Sequence, residues 1–449
     1  MEAYSNSIED RLIDGLSFKL EPGASYINDR RSVTFHPSGS NIYNPKSGTK
    51  FIRIALTGKD WLDPNTFRVA FDVVNLAVET TTGTVTKPYL RPLSGPWCMF
   101  RRVRLLAGSQ VIEDIDQYAR VHQMMDILTA TDSRRNEVVE GFGFLYDDHA
   151  IEAKKLEYTG IAPQDYMTVM FKPLCGLLNQ SKYIPLDYCG NLVLELELVD
   201  DPAEAVASNI APFTNVNNSL LWELRNVQVK CDMVSLDNSV QESYHQVLMT
   251  SKEIPIHYQT LTSQFQTVGP DPFINVSRAA TRLKSIFVTL DKNFAGTRLT
   301  AGRKAWNDFF SPGSDRNRTG IVFNPSSEDE FELAVQIGSK TFPDGNPIRS
   351  HAESYYSLRK TLGVQSSKVH SFDISPQDYR DNKLIMAIDC EKSLGASFTG
   401  LNTRSGDLMT VKFKYKNITD AGRIADRMHI VLHTDNIMQI HLTGVTIYD

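Results

Sequence analysis

Histidines raise the first chemical question. His429-Ile-Val-Leu-His433 sets two imidazoles four residues apart, as on the helix of a zinc peptidase, but that site needs a glutamate directly after the first histidine. Ile430 stands there and the segment alternates like a strand, so no zinc centre is expected. His433-Thr-Asp435 with His441 supplies two imidazoles and a carboxylate, a set that can hold iron on a β-barrel. In such sites the second histidine comes from a distant strand, whereas His441 follows closely, so a bicupin-type metal oxygenase stands only as an alternative. Gly338-Ser-Lys340-Thr341 resembles the end of a phosphate loop, but Leu333 occupies the place of its first glycine. A hairpin turn is the simpler reading. No G-x-S-x-G elbow occurs for a nucleophilic serine. Glu195 and Glu197 share one side of a strand, where paired acids about 5–10 Å apart can hydrolyse a glycoside. A solvated or inter-subunit surface explains them more simply. Trp61, Trp97, Trp222 and Trp306 are too dispersed for a sugar-stacking platform. No catalytic residue, cofactor-binding residue, metal ligand or cofactor is assigned, and no enzyme activity is expected.

Composition narrows the class. At 449 residues the chain is long enough for two or three domains, each with its own core. Its 41% hydrophobic and 22% charged residues are ordinary for a globular protein. No apolar run reaches the roughly 18 residues of a membrane helix, and the first residues lack a signal-peptide pattern, so secretion is not expected. Asn275-Val-Ser277 and Asn417-Ile-Thr419 are accordingly read as chance matches to a glycosylation motif. Cys98, Cys175, Cys189, Cys231 and Cys390 are odd in number and lack C-x-x-C spacing, which argues for reduced thiols. The net charge of −6 and the short, scattered arginine pairs disfavour direct or sequence-specific nucleic-acid binding.

The elements that would carry these residues are strands. Phe67, Val69, Phe71 and Val73 alternate with more polar neighbours, and so do Val103 and Leu105, and Met167, Val169 and Phe171. Phe331, Leu333, Val335 and Ile337 repeat the pattern, as do Val411, Phe413 and Tyr415 between Lys412, Lys414 and Lys416. Helical spacing is rare. Tyr118, Val121, Met124, Met125 and Leu128 predict one short helix with Asp114 and Asp116 as capping candidates. Ser350 and Glu353 form a capping box that opens a second, through Tyr355, Leu358 and Leu362 to Gly363. Each helix follows a strand and a glycine turn, at Gly108 and Gly338.

The halves match in sequence. Gly190-Asn-Leu192 onward corresponds to Gly406-Asp-Leu408 onward, and the stretch Leu224 to Asp232 to the stretch Leu442 to Asp449, aligned at Val227 and Val445. Such a period, near 217 residues (406 − 190 = 216; 445 − 227 = 218), describes a domain built twice. The reading is all-β: two tandem eight-stranded jelly rolls, each with one short helix in a loop; immunoglobulin domains would be half this size. Residues 1–45 read as an N-terminal arm, 46–236 as the first jelly roll, 237–250 as a connector and 251–449 as the second jelly roll. Long loops over 130–165 and 291–328 are expected to make contacts.

Several stretches then resemble a known family. Ser38-Gly-Ser-Asn41-Ile-Tyr43-Asn-Pro45, Phe51-Ile-Arg53-Ile54 and Trp61-Leu62-Asp63-Pro64 are similar to double jelly-roll major capsid proteins, most of all the polinton-like virus and adintovirus type in the lineage of the adenovirus hexon. Leu90-Arg91-Pro92 through Trp97, Phe100-Arg101-Arg102, Glu113-Asp114-Ile115 and Pro343 through Ile348 add to the likeness, which runs from about residue 26 to the end. The resemblance implies a structural subunit that forms homotrimers with six jelly rolls, tiling an icosahedral shell around double-stranded DNA. It further implies neighbouring capsomers, vertex (penton) and minor capsid proteins as partners, an internal membrane as an open contact, and assembly in host cytoplasm or nucleus into the virion. A virion-surface spike or carbohydrate-binding module is the other alternative.

Overall fold

The computed structural model describes residues 26–46, 49–79, 87–143, 160–206, 219–250, 252–292, 309–312, 331–364, 372, 374–381, 383–391, 399–404, 408–416, 424–442 and 444–449. The first half contains β1 (Ile27–Phe35), β2 (Ile42–Tyr43), β3 (Phe51–Leu56), β4 (Trp61–Asn75), β5 (Phe100–Ala107), β6 (Gln110–Ile115), β7 (Tyr166–Phe171), β8 (Ile184–Pro185), β9 (Leu192–Leu198) and β10 (Trp222–Leu236). The second contains β11 (Ile254–Thr267), β12 (Phe273–Val276), β13 (Leu283–Asp291), β14 (Phe331–Ile337), β15 (Lys340–Phe342), β16 (Ile385–Asp389), β17 (Met409–Tyr415), β18 (Arg427–His441) and β19 (Gly444–Tyr448).

Four antiparallel sheets result. In the first half they run β1-β10-β4-β7 and β3-β9-β5-β6; in the second, β11-β18-β13-β16 and β12-β17-β14-β15. With β2, β8 and β19 set aside because they lie off the main strand order, each half has eight strands, paired in the order 1-8-3-6 in one sheet and 2-7-4-5 in the other. That is the jelly-roll order, and it appears twice, so the fold is a double jelly roll.

Alternation explains the pairing. Phe67, Val69, Phe71 and Val73 are buried, as are Phe331, Leu333, Val335 and Ile337. Lys412 and Lys414 point outward. Pro64 lies inside β4, where a ladder donor is missing, and there the register with β10 slips between Lys230 and Asp232. The Thr66 hydroxyl accepts the Asp232 N–H at that slip. The turns from β5 to β6 and from β14 to β15 place Gly108 and Gly338 at the same left-handed φ of 59°. Gly338-Ser-Lys340-Thr341 is thus a hairpin, with Gln336 opposite Thr341.

Several expectations need correction. Residues 27–35, read as part of an arm, form an edge strand on β10. They lack alternation because β1 is exposed on both faces at most positions. The repeat holds for β9 and β17, displaced by 217 residues (409 − 192), although Gly406 itself lies outside the described residues. It fails at Val227 and Val445. The counterpart of β10 is β18, displaced by 205 residues (427 − 222), and Val445 belongs to β19, an added strand that folds back on β18. A few alternating apolar residues closing on aspartate are too common in strands to fix a register.

Helices follow the fifth strand of each roll, Tyr118–Ile127 and His351–Thr361. Asp114 and Asp116 do not cap the first; Gln117 is its N-cap, in left-handed conformation, and Asp114 instead pairs with Arg102. Ser350 caps the second by accepting the Glu353 N–H at 3.2 Å, while the Glu353 carboxylate reaches back to the Arg349 N–H at 2.7 Å. The helices Thr131–Glu140 and Pro376–Asp381 were not expected, because the first is polar almost throughout and the second is only six residues long. The connector is a helix, Asn238–Met249, capped by Asp237. Most of the loop expected over 291–328 lies outside the described residues.

Ser350→Ala should cost about 0.5–2 kcal/mol by removing a cap that satisfies an orphan N–H. A lowered urea midpoint is expected; an unchanged one would show that the cap contributes nothing.

Candidate functional site

The residues with metal-binding potential are not brought together. His433 and His441 lie eight positions apart on β18, about 26 Å along an extended strand. Nε2 of His433 donates to Gln259 Oε1 at 3.1 Å, and its Nδ1 accepts from Ser285 Oγ at 3.3 Å. Burial, with Lys284 nearby, pulls that imidazole down to about 4. His441 sits against Glu253 and Thr446. Among the described residues, no group of three metal-ligating side chains converges.

Glu195 is not solvated. It is 2% exposed and clamped between Arg53 of β3 and Arg104 of β5, its cross-strand neighbours on either side. Its neighbour Glu197 lies opposite Arg102. The pair belongs to a charge ladder across the β3-β9-β5-β6 sheet, where alternating signs stabilise neighbouring strands. Trp61, Trp97 and Trp222 are buried, so none offers an open stacking face. Trp306 lies outside the described residues. The five cysteines are buried and none is in a disulfide.

A buried polar arrangement joins the two rolls. Glu113 on β6 is 2% exposed, and its carboxylate accepts the N–H groups of Gly176 and Leu177 at 2.8 and 2.7 Å. The Thr260 hydroxyl of β11, in the second roll, donates to it at 3.0 Å. Tyr258 of the same strand donates to the Ile112 carbonyl, and Ser263 donates to the Asp116 carbonyl. Arg120, on the first helix, donates to the Leu290 carbonyl at 2.9 Å and lies over the Phe309 ring. At Gly176 the backbones meet so closely that an added Cβ would stand 1.5 Å from the Gln259 carbonyl oxygen. This interface was not legible beforehand: Glu113 was noted only as part of a family motif, and its burial comes from a strand about 150 residues away.

Each helix also carries a buried histidine held neutral. His122 stacks on Trp97 with ring centroids 4.1 Å apart and accepts from Tyr118, and burial lowers it to about 3. His351 bonds Ser311 at 2.8 Å beneath Phe331 and is lowered to about 3, mainly by burial. These contacts order the interior; none presents a reactive atom to solvent.

No protein-family model matches the chain, and no curated protein does. Solved structures do. The chain is similar to the VP54 protein of PBCV-1, fitted into a reconstruction of the virophage Sputnik, at 13% identity and a TM-score of 0.59, over 96% of this chain and 99% of that one. A quasi-atomic model of the PBCV-1 capsid gives a TM-score of 0.60 at 12% identity, over 96% and 99%. The Faustovirus major capsid protein gives 0.57 at 11% identity, over 94% and 92%. The similarity spans both rolls and is a likeness of fold.

Two predictions test the inter-roll contact. Burial raises Glu113 to about 7 against hydrogen bonds that favour its charged form. A raised carboxyl contributes stability that is full below its unfolded value near 4.5 and is lost as pH climbs to about 7, here about 3 kcal/mol. Urea midpoints of the protein should therefore fall over that window relative to Glu113→Gln, and parallel pH profiles would refute the assignment. Gly176→Ala should sharply lower the melting temperature by forcing the rolls apart. Gly269→Ala, with open space around its Cβ, should leave it unchanged; equal behaviour of the two variants would contradict the close approach.

Proposed function

We propose that the chain is the major capsid protein of an icosahedral double-stranded DNA virus, a structural subunit that trimerises into pseudo-hexameric capsomers. The observation that carries this reading is the match of both rolls to PBCV-1 and Faustovirus capsid proteins, over 96% and 94% of this chain and 99% and 92% of theirs. Two rolls per chain let three chains fill a six-sided tile. A polinton-like or adintovirus source, neighbouring capsomers with penton and minor proteins as partners, and assembly in host cytoplasm or nucleus belong to the same proposal.

Capsomer contacts of this kind bury more than about 2,000 Å² and leave the lone subunit unstable. Light scattering of the purified chain is expected to give the mass of three copies. A well-folded monomer that persists at high concentration would reject the reading, whereas stoichiometric iron lost on His433→Ala would favour the oxygenase instead.

A further inference from the structure

The two equivalent sheets β3-β9-β5-β6 and β12-β17-β14-β15 balance charge differently. The strands of the first carry four arginines and four acids. Every one of those arginines is in an ion pair: Arg53 and Arg104 with Glu195, Arg102 with Asp114, and Arg101 with Asp200. The strands of the second carry Lys340, Lys412 and Lys414 against Glu332 alone. Arg349 holds Glu332 at 3.7 Å. Among the described residues, none of the three lysines is in an ion pair.

Lys412 and Lys414 are exposed on one face of the central strand β17, about 6.7 Å apart along it. Like charges so placed repel, and the one acid opposite, Glu332, is already taken by Arg349. Lys412 donates to Gln336 Oε1 at 2.7 Å and lies over the exposed Phe273 ring. Phe51, first residue of the equivalent edge strand, is exposed too, but it lies opposite Glu197. The aromatic is therefore common to both faces, and the unpaired cations belong to one.

We propose that this face of the second roll docks an extended acidic segment of a partner protein, with alternate carboxylates on Lys412 and Lys414. Side chains on one face of an extended segment recur every second residue, which is the spacing of the two lysines. Ala334, opposite Lys412, is too small to obstruct a segment lying along β17. Nucleic acid is the poorer fit, because its charge continues far beyond two cations and meets a chain of net charge −6. The proposal goes beyond the capsomer reading and fails separately from it: light scattering reads the assembly, and peptide binding reads the face.

The test titrates the purified full chain into a fluorescently labelled peptide of alternating glutamate and threonine and follows anisotropy. Saturable binding that weakens as salt rises is expected. Lys412→Gln with Lys414→Gln should lower the affinity about tenfold, whereas Lys412→Arg with Lys414→Arg should retain it. Lys59→Gln with Lys182→Gln, which removes two exposed lysines of the first roll, should leave binding unchanged. Urea midpoints separate lost binding from lost folding. Where the double glutamine variant is less stable, Lys414→Gln alone reads the same loss in smaller measure. Equal loss in the first-roll control, loss in the arginine variant, equal binding of a single-stranded oligonucleotide, or no saturable binding of the peptide would each overturn the proposal.

Discussion

One buried carboxylate fixes how the halves of this protein meet. Removing an ionisable group from water costs several kcal/mol unless donors replace the lost hydration. Glu113 finds two on the turn at Gly176 and Leu177 and one on Thr260 of the other roll. To supply them, the turn must approach β11 within backbone contact, and only a residue without a Cβ fits at 176. The same approach positions Tyr258 and Ser263 over the carbonyls of Ile112 and Asp116.

The duplicated sheets show what happened where no such constraint applied. β9 and β17 are central strands of equivalent sheets, each seven residues long. Their fourth and sixth residues are Glu195 and Glu197 in one and Lys412 and Lys414 in the other. Around the glutamates the flanking strands supply Arg53, Arg102 and Arg104; around the lysines they supply Phe273, Glu332 and Ala334. The inward residues stay apolar in both, because core packing tolerates little else. The outward residues have reversed sign: arginines flank Glu195 and Glu197, whereas Lys412 bonds Gln336 and lies over the Phe273 ring, and Lys414 lies opposite Glu332.

What could be read from the sequence follows this division. Alternation located β4, β5, β7, β14 and β17, because one covered face imposes a period of two. It missed β1, whose Asn28, Asp29, Arg30 and Arg31 have no covered face to report. It also misled at Val445, where a short alternating hairpin strand imitates β10. The burial of Glu113 and Glu195 was invisible because it is imposed by neighbours distant in sequence: β11 in one case, two flanking arginines in the other. Ser350 and Glu353 were readable because their partners lie within four residues.

Burial sets the protonation of groups inside the rolls and of one group between them. His122 and His351 lie on equivalent helices, and burial keeps both uncharged well below neutrality. A histidine so held does not switch between pH 5 and 8, where an exposed one would. His433, at about 4, is likewise neutral throughout that range. Glu113, at about 7, changes charge within it. Each roll therefore keeps a constant internal charge at these histidines while the joint between rolls does not. Tyr118, Cys175 and Tyr258 face that joint, and burial pushes all three upward, so they remain neutral and leave the carboxylate as its titrating member.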